Sequence, residues 1–389
     1  MRSASIAGGL LAVMAVMATG AGVLPTAVRA ESPGKTRVYF GTYTGGKSQG
    51  IYRSELDLAS GALTPPVLAG EAVNPSFLAL RPGGKFLYAC SEMQVEGKRV
   101  GAVAAFAVDA ATGDLKALNK QPSGGGGPCH VSVDPSGSCV LVANYGGGSV
   151  SAVPIATDGS LATPGSVAQH TGSSVNKQRQ AAPHAHSINP DPAGRFAFAA
   201  DLGLDKLLVY KLDAAAGRLT ANEPPFASVD PGAGPRHFAF HPSGKFAYVI
   251  NEISLTVTAF AYDAAKGVLS PVQTIDTLPP GASREGASTA EVQVHPSGKF
   301  LYGSNRGHNT IAVFAIDAAT GKLTVVGHQG QDVKTPRNFG VDPSGKYVLV
   351  ANQDGDSVVV FAVDASTGML KPTGHKIEVP KAVCVKFAP

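Results

Sequence analysis

Histidine, arginine and glutamate side chains recur at two kinds of position in this sequence: just before one apolar run and just after the next. The paired runs are joined by short Pro-Ser-Gly turns and are typical of antiparallel strands, so the start of the first and the end of the second meet at one edge of a sheet. The residues at first-strand starts are His130, His184, His186, Arg236, His237, Glu291 and Arg337. The residues at second-strand ends are Glu92, Asn144, Asp201, Asn251, Glu252, Asn305, Arg306 and Asn352. Cations and carboxylates gathered at one edge suit a small anionic ligand.

Several of these residue types also have other interpretations. The asparagines at strand ends are typical of side chains that satisfy backbone groups. His184 and His186 lie two residues apart on one strand face, and with a third ligand they could bind zinc. The arginines expected nearby would repel a cation, so we expect neither a metal nor a cofactor. The glycine-rich run SGGGGPCH lacks the Lys-Ser/Thr of a phosphate-binding loop.

The strand–turn–strand pattern repeats along the chain. The turn glycines are spaced by 47 to 57 residues, at Gly84, Gly137, Gly194, Gly244, Gly298 and Gly345. A repeat of this length built from four short strands predicts an all-β fold, the β-propeller. Its blades bury their faces only against one another.

The first blade is split between the two ends of the chain. Three strands are predicted in residues 38–63, but the strand that should precede them is missing there. The last residues, KAVCVKFAP, resemble first strands elsewhere, such as HFAFHP at 237–242. We therefore expect the C-terminal strand to join the first blade and close the ring. The total is seven blades, the other six beginning near residues 74, 128, 183, 235, 289 and 336.

The repeated turns are predicted to be structural. The DAATG-like segments suit tight turns between third and fourth strands. The residue before each Pro-Ser-Gly turn is expected to cap that turn on the face away from the site: Asp134, His241, His295 and Asp342. Two longer polar stretches, 170–183 and 277–288, precede first strands and are expected to contribute to binding.

The N-terminus is typical of a secretory signal peptide, with Arg2, an apolar run at 6–18 and small residues up to Ala30. We predict a leader over 1–30 and a propeller domain over 31–389, which makes the protein periplasmic or secreted, with no membrane contact after leader removal. An uncleaved anchor is the alternative.

The composition of the chain limits the kinds of partner that the protein can bind. The net charge of +4 falls to about +2 without the leader, and there is no basic run, which argues against nucleic acid. We expect a monomer. The cysteines Cys90, Cys129, Cys139 and Cys384 could form disulfides in an oxidising compartment. Their positions within or beside predicted strands favour buried thiols.

The motifs together cover nearly the whole chain after the leader. They include GPCHVSVDPSG at 127–137, RQAAPHAHSINPDPAGRFAFAADLGLDKL at 179–207, GAGPRHFAFHPSGKFAYVINE at 232–252, AEVQVHPSGKFLYGSNRGHNTIAVF at 290–314 and TPRNFGVDPSGKYVLVAN at 335–352. They resemble the lactonase family of seven-bladed β-propellers, which includes propeller-type 6-phosphogluconolactonases and the fungal carboxy-cis,cis-muconate cyclase.

The resemblance implies an active site of one histidine, two arginines and one glutamate at the channel mouth. The matching residues are His186, Arg236, Glu252 and Arg306, all of which the edge argument also selects. We expect the remaining charged residues and histidines of the mouth to bind substrate: His130, His184, His237, Glu291 and Arg337.

Three functions are consistent with these residues. The first is hydrolysis of a sugar lactone, in which Glu252 or His186 takes a proton from water and the arginines hold the oxyanion. Because the chain is expected to be exported, an unphosphorylated aldonolactone or another acidic lactone is a more natural substrate than the phosphorylated lactone that the resemblance implies. The second is a muconate-type cycloisomerase using the same residues. The third is a non-catalytic secreted propeller of the YVTN-repeat kind.

Overall fold

The computed structural model describes residue 1, residues 34–95 and residues 98–389. Apart from Met1, the predicted leader lies outside the described residues, as does the expected mature start at Glu31. Among the described residues, no helix is long and apolar enough to serve as a membrane span.

The described chain is built from 28 strands and one short 3-10 helix at Gln353–Gly355. In chain order the strands are β1 (Lys35–Thr42), β2 (Gly50–Asp57), β3 (Val67–Glu71), β4 (Leu78–Leu80), β5 (Phe86–Val95), β6 (Lys98–Val108), β7 (Leu115–Pro122), β8 (Pro128–Val133), β9 (Cys139–Asn144), β10 (Ser149–Pro154), β11 (Ser166–Gln169), β12 (Ala185–Pro190), β13 (Phe196–Asp201), β14 (Lys206–Asp213), β15 (Arg218–Ser228), β16 (Pro235–Phe240), β17 (Phe246–Asn251), β18 (Thr256–Asp263), β19 (Val268–Asp276), β20 (Ser288–Val294), β21 (Phe300–Arg306), β22 (Thr310–Ile316), β23 (Leu323–Gln329), β24 (Pro336–Val341), β25 (Tyr347–Asn352), β26 (Ser357–Val363), β27 (Leu370–Glu378) and β28 (Ala382–Phe387).

These strands form seven antiparallel four-stranded sheets, which confirms the predicted propeller. Blade 1 joins β28 to β1, β2 and β3, so the C-terminal strand closes the ring as expected. Blades 2 to 7 each take the next four strands in chain order. The first strands of neighbouring blades contact one another around the whole ring and therefore line its central channel.

The third strand of blade 1 lies further along the chain than predicted. Residues 38–63 contain β1 and β2, but β3 begins at Val67. Leu63 makes only an isolated bridge with Leu56. The two prolines at 65 and 66 have no N–H groups to donate to a ladder, so the strand starts after them.

The hydrophobic core lies between the facing sheets of neighbouring blades. Between blades 4 and 5, for example, Phe198 of β13 stacks on Phe238 of β16 with ring centroids 5.6 Å apart. All four cysteines are unpaired, and three of them are fully buried like small apolar side chains.

The Pro-Ser-Gly turns are capped as predicted. The Asp134 carboxylate accepts hydrogen bonds from the backbone N–H groups of Ser138 and Cys139 at 2.8 and 2.7 Å. Gly137 has a φ of +71°, which a residue with a side chain rarely adopts. The imidazole of His241 bonds to the carbonyl of Gly298 in the next blade, so this cap also joins two blades.

A second repeated contact joins the blades through the DAATG-like turns. The hydroxyl of Tyr302, in the second strand of blade 6, donates to the carbonyl of Gly368 in the turn of blade 7 at 2.9 Å. The same bond recurs from Tyr39 to Gly113, from Tyr88 to Gly159 and from Tyr248 to Gly321. The second-strand tyrosine and the glycine of the DAATG-like turn are therefore the donor and the acceptor of one hydrogen bond that recurs between neighbouring blades.

Tyr302→Phe removes this bond and leaves the buried Gly368 carbonyl without it. We expect the free energy of unfolding to fall by about 1–2 kcal/mol, measured by denaturant titration. Tyr347→Phe is the matched control, because the Tyr347 ring packs on Gly61 but its hydroxyl makes no hydrogen bond among the described residues. An equal loss in both variants would contradict the assignment.

Candidate functional site

A cavity of about 270 Å³ opens at one mouth of the central channel. It lies at the edge where first strands begin and second strands end, as the sequence predicts. Its lining residues are Tyr43, Glu92, Gly127, Cys129, Tyr145, His186, Glu252, Arg306 and Arg337. We call it the mouth cavity.

The Glu252 carboxylate lies at the centre of the charged groups. Its Oε2 is 2.9 Å from Nε of Arg236 and 3.1 Å from Nη2 of Arg306. Its Oε1 accepts a hydrogen bond of 2.5 Å from Nη2 of Arg179. Arg236 also donates to the carbonyl of Ala290, so its guanidinium is fixed at both ends.

These arginines determine the ionisation of Glu252. Burial alone would raise its pKa, but the charges of Arg306 and Arg236 and the hydrogen bond from Arg179 outweigh that effect and lower the pKa to about 2. Burial, together with Arg306 and Arg337, lowers the pKa of Arg236 to about 9. Near neutral pH the carboxylate is therefore ionised and a weak proton acceptor.

His186 lies in the wall of the mouth cavity beside Cys129 and Tyr145. Its Nδ1 lies 3.6 Å from the Cys129 sulfur, and its ring meets Tyr145 edge-on with centroids 5.3 Å apart. Burial, and then the charge of Arg236, holds the pKa of His186 well below its usual value. The imidazole is neutral near pH 7 and can accept a proton.

β-Bulges at the starts of the first strands place these side chains. The residue register shifts around Cys129 in β8, His186 in β12, Arg236 in β16, Arg337 in β24 and Val383 in β28. Each of these residues lacks a partner in the ladder, and each lines the mouth cavity or the neck beneath it. Bulges next to active sites commonly re-aim a side chain in this way.

The bulges also explain why some predicted residues lie elsewhere. His130, His237 and Glu291 line a second cavity of about 330 Å³ toward the far ends of the first strands. His130 and His237 follow the bulged residues, where the regular alternation of the strand resumes. We call this space the rear cavity. The structure thus separates these three side chains from the mouth.

The remaining predicted residues are divided in the same way. His186, Glu252, Arg306 and Arg337 share the mouth cavity. Arg236 lies below them in a neck of about 10 Å³ and is 2% exposed.

His184 does not line either cavity. Its ring stacks on Tyr145 with centroids 4.6 Å apart, and its Nδ1 lies 3.0 Å from the Tyr145 carbonyl oxygen. It supports the cavity wall from behind. Within the described ranges, no three His, Cys, Asp or Glu side chains are grouped to hold a metal ion.

The strand-end asparagines satisfy neighbouring backbone and hydroxyl groups, as their structural interpretation predicts. Asn144 donates to the carbonyl of Ser123, and Asn305 to that of Thr277, both at 3.0 Å. Asn352 donates to the Asp332 carbonyl at 2.8 Å.

Arg179 is a site residue that the motif argument missed. It lies in the polar stretch 170–183, which was expected to contribute to binding, although no single residue there was selected. The stretch is held in place by Gln180, whose amide donates to the carbonyl of Leu202 and to Asp205. Asp205 also accepts a bond from Ser174, so the stretch carrying Arg179 is fixed at two points.

Tyr43 and Tyr145 were also missed. Tyr43 receives a 3.1 Å hydrogen bond from Arg337, and Tyr145 follows directly after the strand-end Asn144. Its position one residue beyond the strand end was the available signal. The other polar stretch, 277–288, contributes no residue to the mouth cavity among those described.

Comparison with known proteins gives consistent matches. A family model described as "Lactonase, 7-bladed beta-propeller" matches residues 37–387. The 6-phosphogluconolactonase of Bacillus subtilis is 40% identical over 349 residues, which are 90% of this chain and 97% of that protein. The 6-phosphogluconolactonase of Formosa agariphila is 35% identical, over 78% of this chain and 86% of that protein.

A solved structure also matches over most of the chain. The periplasmic gluconolactonase of Pseudomonas aeruginosa superimposes with a TM-score of 0.86 and 34% sequence identity. The match covers 91% of this chain and 99% of that chain.

Glu252→Gln should destabilise the protein by about 3–5 kcal/mol at pH 7, because Arg236 would remain buried without its counter-charge. The folded carboxyl has a depressed pKa, so its contribution is complete above the ordinary value of 4.5 and is lost as the pH falls through about 2. Urea unfolding at pH 7 and pH 3 should therefore show a smaller difference from wild type at pH 3.

Asp276→Asn is the control for this variant. It breaks the exposed Arg284–Asp276 ion pair, and it should change the free energy of unfolding by less than about 1 kcal/mol. A loss in Glu252→Gln no larger than the loss in this control would contradict the assigned role.

Proposed function

The chain belongs to the lactonase family of seven-bladed β-propellers, and we propose that it opens a sugar lactone by hydrolysis in the mouth cavity. The observation that carries the proposal is the pairing of a neutral buried imidazole with fixed guanidinium groups in one small cavity. His186, Arg306 and Arg337 all line it. Such a site can accept a proton from water and hold a developing negative charge.

His186 is the general base in this mechanism. Water attacks the lactone carbonyl and gives a proton to the imidazole, which is neutral because its pKa is held low. Glu252 is unsuited to this step, since both of its carboxylate oxygens are bonded to arginines, which lower its pKa to about 2. Its role is to hold Arg236 and Arg306 in place.

The guanidinium groups stabilise the oxyanion that forms at the carbonyl. Arg306 is fixed by Glu252 and by the carbonyl of Thr289, and Arg337 is fixed by Tyr43. Because these donors are already oriented, little reorganisation is needed during the reaction. Fixed donors of this kind each contribute roughly 3 kcal/mol to catalysis.

The convergence of these side chains supports catalysis over a purely structural propeller. Ion pairs of 2.9 and 3.1 Å join Glu252 to Arg236 and Arg306 at the wall of one cavity. A non-catalytic propeller has no need to bury such a group, because buried charges are costly unless several partners surround them.

We propose an unphosphorylated aldonolactone as the substrate. The N-terminal sequence supports export, and a phosphorylated sugar lactone is expected mainly inside the cell. The similar Pseudomonas aeruginosa protein is described as a periplasmic gluconolactonase. Two relatives are named 6-phosphogluconolactonase, so the phosphorylated lactone is the essential comparison.

His186→Gln should lower kcat for lactone hydrolysis by about 10²–10⁴-fold, because the general base is lost. The measurement is proton release from glucono-1,5-lactone and its 6-phosphate and proton uptake with a carboxymuconate, with wild type and variant in parallel. His375→Gln, on the outer strand β27, is the control and should retain wild-type rates.

The substrates in this assay separate the candidate functions. A higher kcat/KM for gluconolactone than for its 6-phosphate is the expected result. Preference for the phosphate would overturn the unphosphorylated substrate. Turnover of the muconate alone would favour the cycloisomerase, and inactivity on all three would contradict an enzymatic role.

Export also has a direct test. If the leader is removed after Ala30, N-terminal sequencing of protein recovered from the periplasm or medium should begin at Glu31. Recovery of the intact N-terminus from a membrane fraction would instead indicate an uncleaved anchor.

A further inference from the structure

The mouth cavity and the rear cavity are joined by the narrow neck. The neck shares Cys129 and Arg337 with the mouth cavity, and Phe77 and His237 with the rear cavity. Its volume of about 10 Å³ is close to the minimum that holds one water molecule. A sugar cannot pass through this neck, but a proton can cross it by way of one water.

His237 lies at this junction with one ring nitrogen unused. It is 4% exposed, and its Nδ1 is 3.0 Å from Oε2 of Glu291. Its Nε2 is buried and has no hydrogen-bond partner among the described residues. When Glu291 is ionised, Nδ1 carries the hydrogen, and Nε2 is therefore a bare acceptor. Such an unpaired buried acceptor is rare in a structural histidine.

His186 lies against the same ring. The two imidazoles meet nearly at right angles, with centroids 5.3 Å apart. Three groups therefore follow one another in space from the mouth cavity to the rear cavity: the proposed base His186, the imidazole of His237 and the buried carboxyl of Glu291. His186 lines the mouth cavity, and Glu291 lines the rear cavity.

Lactone hydrolysis at neutral pH releases one net proton. The water oxygen bonds to the carbonyl carbon, and the bond from that carbon to the ring oxygen breaks. One of the two water protons ends on the ring oxygen, and the other must leave because the product is a carboxylate.

We propose that this second proton leaves the site through His237 to Glu291, and from there to solvent in the rear cavity. The inference rests on the proposed hydrolysis. His186 returns the first proton to the leaving ring oxygen, takes the second from the new carboxylic acid and passes it across the neck to Nε2 of His237, which gives its Nδ1 proton to the Glu291 carboxylate. His237 is left as the other neutral tautomer, so no buried imidazolium persists. Glu291 and His237 are relay residues that do not touch the substrate.

Electrostatics determine where the proton can rest on this route. Burial, together with Arg236 and Arg337, lowers the pKa of both His186 and His237, so neither imidazole retains the added proton. Burial raises the pKa of Glu291 to about 7, a value suited to accepting and releasing a proton near neutral pH. The ionisable groups that surround Glu291 are His237 and Arg236 on β16, Lys386 and Cys384 on β28, and His130 on β8.

Glu291→Gln tests the relay, because it removes the proton acceptor but keeps the size of the side chain. In wild type, kcat should fall as the pH drops through about 7, where Glu291 becomes protonated. In the variant this acid limb should disappear, and the plateau kcat should fall at least tenfold. KM should not change, since Glu291 lies behind the neck.

Lys386→Met is a second, independent variant. The Lys386 ammonium lies 4.5 Å from the Phe77 ring centroid and forms no ion pair among the described residues. Its charge lowers the pKa of Glu291, so its removal should move the acid limb to higher pH. This variant decides the question if Glu291→Gln fails to fold. Asp276→Asn, an exposed carboxylate-to-amide change, should leave the profile unaltered.

The possible results separate the two proposals. Wild-type protein that hydrolyses no lactone would overturn the proposed function and the relay together. Active wild type with an unchanged acid limb and plateau in Glu291→Gln, or an unmoved limb in Lys386→Met, would overturn the relay alone. A lost limb in the first variant and an upward shift in the second would support it.

Discussion

The buried carboxylate of Glu252 is the interaction on which the geometry of the mouth depends. It accepts bonds from Arg179 before blade 4, from Arg236 in blade 5 and from Arg306 in blade 6. Arg236 and Arg306 cannot move independently, because each would lose its counter-charge in a largely buried setting. A single anion therefore holds three parts of the chain in register and keeps a positively charged surface ready before any substrate arrives.

The same arrangement divides the chemistry between the side chains. The arginines keep Glu252 ionised, and Arg236 and Arg337 help to keep His186 neutral. The proposed base and the carboxylate that holds the arginines are thus kept in different charge states by the same surrounding charges. Stability and the proposed catalysis depend on the same contacts, so a substitution in this cluster is expected to affect both.

The sequence predicted the fold almost completely, because each blade repeats the same turns and strand lengths. It also predicted which edge carries the site. It could not predict how deep each side chain lies, since that depends on the bulges. Cys129 takes the position at the mouth that was expected for His130, and one extra residue in β8 causes the exchange. The role of Arg179 could not be predicted for another reason. Hydrogen bonds from Gln180 and Ser174 to Asp205 fix the stretch that carries Arg179, and local sequence does not encode such long-range contacts.

The closing strand has a consequence for the timing of activity. β28 completes blade 1, supplies Val383 to the neck and supplies Lys386 to the rear cavity. During synthesis, the other 27 described strands can emerge while the ring still has a gap in its inner wall. The reaction chamber is therefore sealed by the last strand of the propeller to arrive, and a nascent chain lacking that strand has no enclosed site in which to act.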